Sequence, residues 1–251
     1  MNKSQERILK NKKLRRRRNI LKRTIFFLVL IFIVIFSMIK FGVFNINSIE
    51  IKGAGNIPKN QILTASGINK GENYFSSPNK KRVKALKDIS AIKNAKISFS
   101  PNRKVTIQIE KRIPKAQIKG YAEYFIIDSD YRIIEILEKE NEKLMVIDGL
   151  KTNKYKKGDF LFIKESEEKN LLNMIFKDEE IYKKVSLIEL KKSYANLYTK
   201  DEIKIELGSY FDLEYKFKML DQIIKDIEET GKSVSSIKME KGKDPIVVMR
   251  N

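Results

Sequence analysis

Serine and lysine recur three apart at five places in this chain: Ser37/Lys40, Ser77/Lys80, Ser90/Lys93, Ser166/Lys169 and Ser235/Lys238. That spacing on a helix lets a lysine amine take the serine proton, which is the acylation chemistry of penicillin-binding enzymes. With 17 Ser and 41 Lys in 251 residues, chance alone supplies about three such pairs. Neither Lys-Thr-Gly nor Ser-Asp-Asn accompanies them. Ser77 and Ser166 read better as helix caps, and Ser37 lies within an apolar run. The chain has no Cys, His or Trp, which removes thiol nucleophiles, Ser-His-Asp triads, disulfides and Cys/His zinc sites. Carboxylates remain. Glu138, Glu140 and Glu142, with Asp128 and Asp130, are the acids that a glycan hydrolase would need in pairs. Asp128-Ser129-Asp130-Tyr131 sits between two apolar runs, so hairpin-turn chemistry accounts for it more simply than a cation site. No catalytic residue, metal or cofactor is expected.

These groups must be positioned by something, and the most decisive element lies at the N-terminus. Ile25 to Ile39 is a run of fifteen residues in which Ser37 alone is polar, and it resumes after Lys40 as Phe41-Gly42-Val43-Phe44. Counted to Phe44, about 20 residues of helix span roughly the 30 Å of a bilayer core. Residues 25-44 are therefore expected as an uncleaved transmembrane helix; the neighbours of Gly42 are too bulky for a signal-peptidase site. The preceding tail, residues 1-24, has 11 basic groups against Glu6, with Arg15, Arg16, Arg17, Arg18, Lys22 and Arg23 next to the apolar run. Positive flanks stay in the cytoplasm, so this pattern predicts a single-pass protein of the cell membrane with its N-terminus inside and residues 45-251 outside. The whole chain carries a formal charge of +20, about half of it in the tail. The rest is a general lysine excess on a solvated surface, and the Arg15 to Arg18 cluster has no interleaved aromatics that would suggest nucleic acid.

About 205 residues remain for folded domains, enough for one large or two small cores. The first part predicts strand, helix, helix, strand, strand. Ile46, Ile49 and Ile51 lead a strand, Pro58 opens a helix that Gly67 ends, and Ser77-Pro78 opens another with Val83, Leu86 and Ile89 on its apolar face. Ala95, Ile97 and Phe99, then Val105, Ile107 and Ile109, alternate across a turn at Ser100 to Arg103. The second part predicts a hairpin over Tyr121 to Leu137 and strands at Leu144 to Ile147, Val185 to Leu190, Ala195 to Thr199 and Ile203 to Leu207. It also predicts a helix after Ser166, another from Leu213 to Gly231, and closing strands at Ser236 to Glu240 and Ile246 to Met249, joined by Lys241 to Pro245.

The first of these units resembles a POTRA domain, in the version that follows the anchor in the bacterial cell-division family FtsQ/DivIB. The resemblance rests on Phe44, Ile46, Ile49, Ile51 and Gly53, on Gly67-Ile68 and Gly71 to Phe75, and on Val105 to Pro114, with Glu110 to Ala116 as the junction. It implies an α+β chain: a basic tail (1-24), a membrane helix (25-44), a POTRA domain (45-114) and a mixed beta domain (115-251). It further implies a non-catalytic scaffold at the division septum that joins FtsB/DivIC-like and FtsL-like single-pass proteins and helps regulate septal wall synthesis. The terminal strands are where a partner would add a strand to an open sheet edge, which selects Ile237, Met239, Ile246, Val247, Val248 and Met249. Two other readings stand beside it: a POTRA-containing secretion or assembly component, for which tandem repeats and a barrel would be expected, and a membrane-anchored wall hydrolase.

Overall fold

The computed structural model describes residues 3–152, 154–162, 164–240 and 244–250, with side chains from residue 16 onward. The chain divides into two compact units, residues 1–85 with 96–108 and residues 86–95 with 109–251. Each forms around its own buried residues.

The N-terminal helix α1 runs Lys3–Lys40, and an 18-residue window within its stretch 16–40 is apolar enough to cross a bilayer, with a mean hydropathy of 2.4 and none of it buried. The helix stops four residues before the apolar run does. Gly42, at φ +64°, closes it: Gly42 N donates to Ile39 O at 3.2 Å and Val43 N to Met38 O at 3.1 Å, the paired bonds of a Schellman turn. A side chain at residue 42 would also press on Asn45, whose Nδ2 lies 2.9 Å from where a Cβ would stand. Phe41 to Phe44 is therefore an exit turn, and the apolar helix is shorter than the sequence alone predicts.

Strand β1 (Ser48–Lys52) leads to α2 (Lys59–Ser66), a short 3-10 turn at Tyr74–Ser76, α3 (Asn79–Asp88), β2 (Ile92–Phe99) and β3 (Lys104–Lys111). These strands make a three-stranded sheet in the order β1-β3-β2, with β1 parallel to β3 and Ile51 opposite Ile107. This is the expected strand-helix-helix-strand-strand order. Alternation in β3 buries Val105, Ile107 and Ile109 as predicted. Gly67 ends α2 in the left-handed conformation at φ 60°, also as predicted. Both helix-opening prolines act one position earlier than expected, since the first helical N–H groups reach Pro58 O and Pro78 O. On α3 the buried residue beside Leu86 is Arg82, at 3% exposure, whereas Val83 is only partly covered. The guanidinium supports the 3-10 turn instead: Nη1 donates to Tyr74 O at 2.6 Å, with Cζ 5.3 Å from the Tyr74 ring centroid.

The remaining strands are β4 (Ala116–Lys119), β5 (Tyr124–Ile127), β6 (Ile133–Leu137), β7 (Met145–Asp148), β8 (Val185–Leu190), β9 (Tyr194–Thr199), β10 (Lys204–Ser209), β11 (Val234–Lys238) and β12 (Ile246–Met249). They form one nine-stranded sheet in the order β12-β11-β10-β9-β8-β7-β4-β5-β6. Helices α4 (Glu167–Lys177), α5 (Glu179–Lys184) and α6 (Leu213–Thr230) bury Leu171, Ile175, Ile181, Phe217 and Leu220 with Ile118, Ile147, Ile188, Leu197 and Ile205 of the strands. Each such side chain, fully buried, contributes roughly 1.5–3 kcal/mol. Ser166 caps α4 as predicted, accepting from Lys169 N at 3.2 Å. Strand β4 and helix α5 were not expected. Asp178 caps α5 by accepting from Ile181 N at 3.0 Å, a short-range signal available in the sequence. Lys241 to Lys243, the basic turn before β12, lies outside the described residues.

Candidate functional site

The final strands sit where a sheet meets its limit. Helix α6 ends at Gly231, φ 65°, and returns the chain parallel to β10 as β11, with Ile205 opposite Ile237. Strand β12 then folds back antiparallel on β11, pairing Val247 with Ile237 and Val248 with Ser236. Ser235 Oγ donates to Val248 O at 3.1 Å and Arg250 N to Ser233 O at 2.8 Å, so the last strand is secured along its inner side. Its outer side ends the sheet. The opposite limit, β6, is covered where it begins, because Ile133 N donates to Asp159 O at 2.9 Å and Gly158 N to Ile133 O at 2.8 Å.

The six residues selected from sequence separate into two groups. Ile237 is fully buried and Met239 is 3% exposed, both in the core with α6, so the structure corrects their selection as contact residues: their side chains hold β11 in place. Ile246, Val247, Val248 and Met249 are 49, 38, 37 and 49% exposed. Alternation cannot bury both faces of a terminal strand that has a neighbour on one side only. Val247 and Met249 instead form one wall of an open groove of about 420 Å³ against Ile223 and Ile227 of α6, with the Lys232–Asp226 ion pair, 2.8 Å, at its rim.

Inward from that edge, a polar row includes Lys204, Glu206 and Lys238. Lys204 Nζ lies 2.7 Å from Glu206 Oε1, and Lys238 Nζ 3.7 Å from Glu206 Oε2. The hydrogen bond from Lys204 holds the Glu206 carboxyl below its ordinary range, and the same bond raises the lysine. Tyr198 OH donates to Glu189 at 3.0 Å; burial first, then this carboxylate, pushes its phenol up.

Among the groups considered for catalysis, the structure assigns other roles. Ser90 Oγ donates to Ile134 O at 2.9 Å, Ser166 is the α4 cap, and Ser235 bonds to backbone. Lys169 pairs with Glu165 at 2.5 Å. Asp128 Oδ1 accepts from Asp130 N at 3.0 Å and Arg132 N at 2.9 Å, the turn chemistry predicted for it. Its other oxygen pairs with Arg112, and both partners are buried. No local pattern marks that ion pair, although Arg112 lies in the junction segment Glu110 to Ala116. Glu138, Glu140 and Glu142 are exposed in a loop with Lys139 and Lys143. Among the described residues no cluster of three or more acids could hold a metal ion. On α1, Arg16, Arg17, Arg18, Lys22 and Arg23 are exposed just before the apolar stretch, while the side chain of Arg15 lies outside the described residues.

Residues 44–112 match the POTRA domain of FtsQ type. The chain is similar to the cell division protein DivIB of Clostridium botulinum, with 31% identity over 160 residues, covering 63% of this chain and 62% of that protein. It is also similar to the cell division protein DivIB of Clostridium tetani, 26% identical over 209 residues, covering 81% and 78%. The match thus spans about three-fifths of the Clostridium botulinum relative's length. An apolar N-terminal helix that fits a transmembrane anchor, followed by a POTRA unit and a large mixed sheet, defines a class of POTRA-bearing anchored proteins. Within it, the matched domain and these relatives support the FtsQ/DivIB family.

Proposed function

We propose that this protein is a cell-division scaffold of the cell membrane, with no bond chemistry of its own, whose basic tail stays in the cytoplasm while both folded units stand outside at the septum. The charge asymmetry around the apolar run supports that orientation, because lysine and arginine flanks resist translocation. The names of the DivIB relatives support the division role. Its partners on this reading are FtsB/DivIC-like and FtsL-like single-pass proteins, and it acts on septal wall-synthesis enzymes only through them.

One observation carries the reading: β12 closes the sheet with four apolar residues, each more than a third exposed. A partner strand laid beside it would satisfy the outward N–H and C=O groups and cover Ile246 to Met249. Specificity would come from alternate side chains, with one set entering the groove beside Ile223 and Ile227.

The test is affinity capture of the tagged full chain from detergent-solubilised membranes, with mass spectrometry, for wild type and the double variant Val247→Asp, Val248→Asp. Loss of the small single-pass partners with an unchanged thermal unfolding midpoint is expected. Equal recovery from the variant rejects β12 as the partner edge. Protease protection in cells stripped of wall checks orientation independently, since residues 45–251 should be digested from the outer side.

A further inference from the structure

The membrane helix does not hand over to a loose linker. After the Schellman turn at Gly42, Asn45 N donates to Gly42 O at 3.0 Å, and the chain at once takes up partners. Tyr74 N donates to Phe44 O at 2.9 Å, Ile46 N to Glu72 O at 2.9 Å and Gly71 N to Ile46 O at 2.7 Å. Residues 71 to 75 are thus bonded to the chain three to five residues beyond Phe41. Each residue spans at most about 3.6 Å, so Phe44 lies within roughly 11 Å of Phe41.

The length of the apolar helix bears on where that point falls. Ile25 to Ile39 is about 22 Å of helix, less than the roughly 30 Å of hydrocarbon it would cross. A short span draws its flanking residues into the membrane or thins the bilayer around it. Phe41 and Val43, 84% and 40% exposed, are the flanking apolar residues on the domain side.

Phe75 is the residue this brings into question, because it is 31 positions beyond Phe44 in the chain and 65% exposed. Its ring meets Phe44 edge-on at 5.1 Å and lies 6.3 Å from Phe99. The turn that presents it is built rigidly: Asn73 Oδ1 accepts from Phe75 N at 2.8 Å, Arg82 holds the Tyr74 carbonyl, and Tyr74 stacks on Phe99 at 4.7 Å. Tyr74 is buried and Phe75 projects outward. Lys40 and Lys70 are exposed on the adjoining segments, placed to meet lipid phosphates.

We propose that Phe75, paired with Phe44, is seated in the lipid headgroup region beside the end of α1, so that the first unit rests on the bilayer as well as being tethered to it. The occupant of this aromatic patch is the membrane interface, chosen by its continuity with the anchor. A domain held this way loses rotational freedom about its tether.

This proposal rests on reading α1 as the anchor, and the experiment separates the two. The chain has no tryptophan, so one introduced residue reports alone. Full-length Phe75→Trp, Phe32→Trp and Phe211→Trp are reconstituted in phosphatidylcholine vesicles with ordinary or brominated acyl chains. Phe32 lies within the apolar helix and Phe211, 81% exposed, follows β10. Expected is about twofold or greater quenching by brominated lipid for Phe32→Trp and Phe75→Trp, with little for Phe211→Trp. Quenching of Phe32→Trp with none at Phe75→Trp overturns the seating and leaves the anchor intact. No quenching at either position overturns both.

Discussion

Arg132 Nη1 donates to the carbonyl oxygen of Lys87 at 2.7 Å, closing the last turn of α3 with a guanidinium supplied 45 residues later in the chain. Nη2 reaches Asp88 O at 3.1 Å and Nε reaches Gly158 O at 3.0 Å, so the planar group satisfies three separate carbonyls. A helix C-terminus is the negative end of its dipole, and a cation there is favourable beyond its hydrogen bonds. The Phe160 ring centroid lies 5.4 Å from this guanidinium and 5.8 Å from that of Arg112. Arg112 in turn pairs with the buried Asp128. The cluster ties the end of α3 to the β5–β6 turn.

Removing the buried anion should cost far more than removing a surface charge. Asp128→Ala leaves Arg112, whose side chain is 5% exposed, without its closest counter-charge, and about 3–5 kcal/mol of stability is expected to go. Arg132→Lys should also fail to restore the wild-type midpoint, because an ammonium cannot present the fork that three carbonyls require. Denaturant unfolding of the detergent-solubilised full chain measures both; a loss below about 1 kcal/mol for Asp128→Ala would refute the role given to this pair.

Gly149 marks a different kind of constraint. It follows β7 at φ +100°, and a Cβ there would stand 1.9 Å from the Leu190 carbonyl oxygen at the end of β8. Neither the dihedral nor the backbone contact can relax without separating two paired strands, so Gly149→Ala should cost at least about 3 kcal/mol. Gly231→Ala, at φ 65° with nothing within 4 Å of its Cβ position, should cost only about 1 kcal/mol. Comparable midpoints for the two variants would show that the close approach is not the cause.

Alkaline pH should weaken the sheet unit in a defined window. Burial, with Glu168 and Glu167 near, raises the Tyr210 phenol from its ordinary 10.0 to about 12, while its hydroxyl donates to Lys191 O at 2.7 Å. The folded chain keeps that proton where the unfolded chain has lost it, so stability is full below pH 10 and falls as pH rises toward 12. Tyr131 and Tyr182 shift upward through burial and act in the same direction. Unfolding midpoints measured from pH 9 to 12 should therefore decline less steeply in Tyr210→Phe than in wild type.

The amino-acid sequence settled the features that depend on neighbours along the chain. An apolar run of fifteen residues broken only by Ser37, behind a basic tail, specifies an apolar N-terminal helix by composition alone, period-two alternation specified β3, and Gly67, Ser166 and Gly231 marked helix ends because those roles are local. Tertiary structure decided what periodicity cannot express. Ile237 and Val247 are both apolar and face each other across one strand pair, yet the first is fully buried and the second 38% exposed, because only β12 lacks a neighbour on its far side. Arg82 and Arg112 look like surface cations in the sequence and are buried, since the Tyr74 carbonyl and the Asp128 carboxylate that compensate them arrive from other elements. Phe75 is 31 residues from Phe44 and becomes its neighbour through two backbone hydrogen-bonded segments, which no local pattern encodes. Burial, edges and charge compensation are set by strand order and packing, and these exist only once the chain has closed on itself.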